Sequence, residues 1–193
     1  VSSAPVAKPL ILVGGGVRVG KSRFALTLAR RLGQRRAFVA TAQPLDDEMK
    51  ARIRRHVEER EGLFETHEIP LDVPAALGRL YQTSDVIVVD CLTLWVSNLL
   101  VGGASPADVS AAFDRMATVL RTRSVPVILV TNEVGMGLVP ETPLGRRFRD
   151  EAGKLHQILG TFADEIYGGM LGTMLRLHPG PVERVATGGS APR

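Results

Sequence analysis

The chain has 193 residues, 45% of them hydrophobic and 23% charged, the make-up of one folded domain with its own core, and disorder over the whole length is excluded. Lys plus Arg number 24 against 20 for Asp plus Glu, a net charge of +4 spread along the chain. With 5% aromatics and no basic–aromatic alternation, it suggests anionic ligands and no nucleic-acid surface. No apolar run approaches the ~18 residues of a membrane span, Val1 to Pro9 lacks a secretory-signal pattern, and Cys91 stands alone, which excludes an internal disulfide framework and a multi-cysteine zinc site; a cytoplasmic protein is expected.

Val1 to Pro9 reads as an N-terminal arm, followed by a single domain over residues 10–175. Leu10 to Val13 is a short buried strand ending in glycines, and Ser22 to Leu32 a helix with Phe24, Leu28 and Leu32 four apart. Ala37 to Ala40 reads as a second strand. Asp46 to Glu61 reads as a charged helix with Met49, Ile53 and Val57 on one face. Val86 to Val89 is β-branched and uncharged, a central strand ending at Asp90, and Leu92 to Leu100 a helix. Ser105, Pro106 and Asp108 supply an N-cap, a proline at the first helical position and an acid at the third, opening a helix to about Arg123. Val127 to Val130 is another buried strand. Thr142 and Pro143 open the longest amphipathic helix, with Leu144, Phe148, Ala152, Leu155, Leu159 and Phe162 as its apolar face. Glu165 to Tyr167 begins a last strand, and residues 176–193, rich in Pro and Gly and without periodicity, read as a loose tail. Strands alternating with helices give an α/β fold with a mostly parallel central sheet, helices on both faces, and ligands at the carboxyl ends of the strands.

Gly15-Gly16-Val17-Arg18-Val19-Gly20-Lys21-Ser22 fits G-x-x-x-x-G-K-[ST], after a strand and before a helix, as a P-loop requires. Glycines let successive backbone N–H groups turn toward one point, and the helix start adds free donors and positive dipole. Lys21 can reach β- and γ-phosphates, and Ser22 can ligate Mg²⁺. Arg18 either touches phosphate or product, or faces solvent. Asp90 can hold Mg²⁺ beside the loop; the alternative is a helix N-cap for the segment from Leu92.

Arg52 and His56 lie four apart on one face of the 46–61 helix, with Glu59 and Arg60 following. A neutral imidazole is a fair nucleophile toward phosphorus, and guanidinium neighbours disfavour its protonated form and stabilise charge developing on phosphate. On this segment alone an exposed helix histidine remains the plainer reading. His67, His156 and His178 lack such surroundings and read as surface residues.

The P-loop, Ala40-Thr41-Ala42, Asp46 to Met49, Arg52-Ile53-x-x-His56, Asp90-Cys91-Leu92-Thr93-Leu94-Trp95, Ser97 to Leu100, Thr131-Asn132-Glu133-Val134-Gly135 and Arg146 to Asp150 with Ala152-Gly153 occur in that order. Together they resemble the bifunctional adenosylcobinamide kinase / adenosylcobinamide-phosphate guanylyltransferase family, from about Leu10 to Ile166. The resemblance implies a single RecA-like P-loop NTPase domain that phosphorylates adenosylcobinamide with ATP or GTP. It then implies transfer of GMP from GTP, through a guanylyl-histidine, to adenosylcobinamide phosphate. It selects His56 as the nucleophile and Lys21 as the second catalytic residue. It carries nucleotide contacts to Gly15, Gly16, Val17, Arg18, Val19, Gly20, Lys21, Ser22, Ala40, Thr41, Ala42, Val57, Glu58, Glu59, Glu68 and Asp90, with Mg²⁺ on Ser22 and Asp90. It also implies a homotrimer with sites between subunits. The loop departs from the family in having Val17 and Val19 where Ala and Ser are common. Glu61 replaces a common proline, Phe64 an aromatic Trp, and Tyr167-Gly168-Gly169-Met170-Leu171-Gly172 an apolar Val-Val-x-Gly strand, which puts the final strand in doubt. A plain small-molecule P-loop kinase with His56 idle, or a nucleotide-gated binding or assembly protein that hydrolyses slowly, are the other readings of the same residues.

Overall fold

The computed structural model describes residues 8–43, 47, 57–58 and 62–186. Eight strands form one sheet: β1 (Leu10–Gly15), β2 (Arg36–Ala40), β3 (Glu65–Glu68), β4 (Val86–Asp90), β5 (Val127–Val130), β6 (Glu165–Met170), β7 (Thr173–His178) and β8 (Glu183–Val185). Their order is β3-β2-β4-β5-β1-β6-β7-β8, the first six parallel and the last two antiparallel additions. Among the described residues five helices with complete bounds cover it: α1 (Lys21–Leu32), α2 (Val73–Leu80), α3 (Leu92–Val101), α4 (Pro106–Arg121) and α5 (Pro143–Gly160).

Side chains alternate across a strand, and both faces are buried. Leu10, Leu12, Val39, Ile87, Val89, Val127 and Leu129 point into one core, which α2, α3, α4 and α5 close with Leu77, Trp95, Met116 and Leu155. Ile11, Val13, Phe38, Val86, Val88, Ile128 and Val130 point into the other, which α1 closes with Phe24, Ala25 and Ala29. This is why the central strands read as continuous apolar runs. The buried side of α1 is therefore Phe24, Ala25 and Ala29; Leu28 and Leu32 are half-exposed at its margin.

Local signals account for the helix starts. Ser105 Oγ accepts from Asp108 N–H while the Asp108 carboxylate accepts from Ser105 N–H, a complete capping box with Pro106 in the first turn. Thr142 Oγ1 accepts from Gly145 N–H at the start of α5. Leu144, expected on the apolar face of α5, is exposed. It lies twelve residues before His156, which meets the carboxyl end of β5, and ~1.5 Å of rise per residue carries it about 18 Å past that end.

The carboxyl-terminal segment departs most from expectation. Residues 176–193, expected as a loose tail, carry the end of β7 and all of β8: Arg176 pairs with Glu183 and Leu175 with Arg184, and Arg176 Nη2 meets Glu183 Oε1 at 2.7 Å. The doubtful last strand is present as β6, bonded to β1 from Ile11↔Glu165 to Gly15↔Gly169. Most of the expected 46–61 helix, His56 included, lies outside the described residues; Asp47, Val57 and Glu58 are helical and exposed.

Candidate nucleotide site

The carboxyl ends of β1, β2, β3, β4 and β5 bring most of the sequence-selected residues to one edge of the sheet. Gly15 closes β1 at φ 139°, where L side chains are strained, and a Cβ there would stand 2.4 Å from Gly169 O. Only glycine fits on both counts. Gly16 and Gly20 face open space, and Gly20 has φ 97°. Arg18 adopts the left-handed conformation, φ 59°, and its side chain is exposed, as is that of Val17. Val19 instead packs against β6: a Cβ on Gly169 would meet Val19 Cγ1 at 2.6 Å. Of the two glycines that weaken the strand signal of β6, Gly169 thus makes room for the loop, while Gly168 makes room for Leu177 on β7.

Lys21 folds back across the loop, its Nζ donating to Gly16 O at 2.6 Å, and is 7% exposed. Ser22 follows it, half-buried. The cap residue of α1 is Gly20, without a side-chain cap, and the first turn holds no acid. The first N–H groups of this twelve-residue helix therefore have no side-chain competitor for an anion. This arrangement suits a triphosphate.

Asp90 ends β4, in register with Ala40 on β2 and Val130 on β5. The N-cap of α3 is Cys91, so Asp90 does not cap that helix. Burial pushes the Cys91 thiol up to about 11, with the Asp90 charge raising it and the Lys21 charge pulling it down, so both charges reach the same spot. Ser22 and Asp90 offer hard oxygen donors at this edge. Among the described residues no group of three or more His, Cys, Asp or Glu side chains gathers as a metal cage. Mg²⁺ usually needs none, because it takes one or two protein oxygens and fills its sphere with phosphates and water. The donor set therefore fits that ion.

Ala40, Thr41 and Ala42 leave β2 beside Asp90. Thr41 is fully buried; its hydroxyl donates to Cys91 O and accepts from Cys91 N–H, both at 2.8 Å, and its own N–H donates to Asp90 O. Glu68 ends β3 opposite Ala40 and is exposed. Val57 and Glu58 are exposed, and Glu59 and His56 lie outside the described residues.

Several residues that hold the site together escaped functional assignment from the sequence. Asn98, on α3, donates to Thr41 O at 2.8 Å and Pro70 O at 2.9 Å, fastening the ends of β2 and β3. Trp95 Nε1 donates to Leu71 O at 2.6 Å. Asn132 donates to Thr93 Oγ1 at 3.1 Å. His156 is not a surface residue: its side chain is 18% exposed and its Nε2 lies 2.7 Å from Thr131 Oγ1. The motifs that hold Trp95, Asn98 and Asn132 were visible as strings, but partners 24 to 57 residues away were not.

A glycine-rich turn between a buried strand and a helix start, with a lysine folded over it and an acid closing a nearby strand, defines a P-loop nucleotide-binding protein on a RecA-like sheet. The PH0250 structure from Pyrococcus horikoshii OT3 shares that fold, with a TM-score of 0.51 at 8% identity over 89% of this chain and 87% of that one. The family model for cobinamide kinase / cobinamide phosphate guanyltransferase matches residues 11–177, and the chain belongs to that family of cobalamin-biosynthesis enzymes. The bifunctional adenosylcobalamin biosynthesis protein CobP of Pseudomonas aeruginosa is 37% identical over 171 residues, 89% of this chain and 98% of that protein. The corresponding CobU of Salmonella typhimurium is 39% identical over 170 residues, 82% and 93% of the two chains.

Proposed function

We propose that the chain performs both reactions of its family through one nucleotide site. In the first, the hydroxyl of the aminopropanol arm of adenosylcobinamide takes the γ-phosphoryl group of ATP or GTP. In the second, His56 attacks the α-phosphorus of GTP and releases pyrophosphate. The GMP then passes from His56 to adenosylcobinamide phosphate, giving adenosylcobinamide-GDP. The observation that carries this reading is the phosphate loop with Lys21 folded across it, in a chain whose family match spans residues 11–177.

The loop from Gly15 to Ser22 holds the β- and γ-phosphates through backbone N–H groups, and Lys21 stabilises charge on the bridging and terminal oxygens. Val17, Arg18 and Val19 contribute main-chain contacts. Ser22 and Asp90 hold Mg²⁺, which when bound neutralises phosphate charge. Ala40 to Ala42, Val57, Glu58, Glu59 and Glu68 surround the nucleoside, Glu68 accepting from ribose or guanine donors. Arg52, Arg54, Arg55 and Arg60 flank His56 in sequence and favour the neutral imidazole and the anionic adduct. We further propose a cytoplasmic homotrimer, on the resemblance alone; sedimentation of the purified chain tests the assembly.

Incubation with GTP labelled at the α-phosphate should yield an acid-labile, base-stable adduct on the peptide carrying His56. His56→Ala should lose the adduct and the guanylyl step while keeping at least part of the kinase step, which needs no covalent histidine. An adduct on another residue, or one retained by His56→Ala, would sink the assignment of this histidine.

A further inference from the structure

Beside the phosphate loop, at the carboxyl end of β5, stands a carboxylate with no part in the roles above. Glu133 follows β5 by three residues, and its N–H donates to Gly15 O at 3.0 Å, which ties it to the first glycine of the loop. Its Oε1 accepts from Gly135 N–H at 2.6 Å. Its Oε2 lies 3.9 Å from His156 Nδ1, and His156 Nε2 is 2.7 Å from Thr131 Oγ1. The Glu133 side chain is 40% exposed and that of His156 18%. The carboxylate is therefore held from one side and open on the other. Burial holds the His156 imidazole below its ordinary range, against the pull of Glu133.

Among the described residues two other carboxylates close strands at this edge, and both are differently placed. Asp90 is the cation donor on β4. Glu68 lies on β3, four strand positions from β1, or about 19 Å at ~4.8 Å per strand. That distance suits the nucleoside end and not the terminal phosphate. Glu133 follows β5, the strand next to β1, and its N–H is bonded to Gly15 O. Phosphorylation of an alcohol liberates a proton, and none of Lys21, Ser22 and Asp90 is placed to receive it while holding phosphate and cation.

We propose that Glu133 orients the acceptor hydroxyl in the kinase step and takes its proton. The hydroxyl oxygen forms the new bond to the γ-phosphorus, and the bridging O–P bond breaks with its electron pair leaving on the nucleoside diphosphate. The hydroxyl proton passes to the Glu133 carboxylate. The proposal rests on the kinase reading above. Self-guanylylation involves no acceptor hydroxyl, so the two half-activities separate the role.

The test compares wild type with Glu133→Gln, whose amide oxygen still accepts from Gly135 N–H. Adenosylcobinamide phosphorylation by ATP and self-labelling by α-labelled GTP are measured on the same preparations. The ratio of kinase rate to labelling rate should fall by about 100-fold or more, the range typical of a lost general base. A ratio within about threefold of wild type, whether both rates persist or both collapse, would overturn the proposal. Absence of kinase activity in the wild-type chain would overturn the parent reading instead.

Discussion

Replacing Gly169 with alanine is expected to weaken nucleotide binding although Gly169 lies on β6, outside the phosphate loop. The added Cβ would stand 2.6 Å from Val19 Cγ1 and 3.2 Å from Val19 Cγ2 and Met174 Cε. Ordinary contact begins near 3.4 Å, so something must yield by about 0.8 Å. Gly169 cannot retreat easily, because β6 is bonded to β1 on one side and β7 on the other. Val19 is half-buried in a loop and gives way more readily. Its displacement drags the neighbouring N–H groups from the positions that face phosphate. Losing good geometry in one charge-assisted hydrogen bond costs about 1.5–3 kcal/mol, which is roughly a 10- to 100-fold weaker Kd. Titration calorimetry with a non-hydrolysable ATP analogue measures it. Val19→Ala in the same chain should restore most of the affinity, because the pair couples directly. Wild-type affinity in Gly169→Ala, or failure of Val19→Ala to rescue it, would refute this account of the loop's support.

Lys21→Ala should lower the kinase rate by roughly 10²-fold or more, since a positioned cation over the terminal phosphates contributes several kcal/mol; steady-state kinetics with adenosylcobinamide measures it. The Asp85 carboxyl, at the start of β4, is held down to about 2, first by hydrogen bonds from the Arg35 guanidinium and then from the Arg35 N–H. A depressed carboxyl stabilises the fold above its unfolded pKa near 3.8 and loses that contribution as pH falls toward 2. The gap in denaturant midpoint between wild type and Asp85→Asn should therefore be largest above pH 4 and narrow below it; a gap independent of pH over that range would contradict the assignment.

Legibility tracked the distance over which each signal acts. The phosphate loop, the apolar strands and the caps at Ser105 and Thr142 are set by neighbours within a few residues, and the sequence displays them directly. Asp90 was ambiguous between cap and cation ligand because both readings need only an acid after a strand; the N-cap at Cys91 removes the first reading, and the second is a proposal. His156 looked like a solvated helix residue because its partner, Thr131, lies across the β5–α5 connection. Strand β6 was obscured for a physical reason: Gly168 and Gly169 lower strand propensity, yet Gly169 must lack a side chain where Val19 and Met174 press on it. Strands β7 and β8 were missed because prolines and glycines in the turn between them mimic a loose tail.

Among the described residues the sheet ends at β3 and β8, and these two rims bear on how copies of this chain can meet. Strand β3 is four residues long, Glu65-Thr66-His67-Glu68, and β8 is only three, Glu183-Arg184-Val185. An unpaired strand edge is a template for another chain, and short, charged edges are poor templates. Concentrated solutions should therefore resist the edge-to-edge stacking that leads to fibrils, and any self-assembly should be built from helices and loops, leaving each sheet separate.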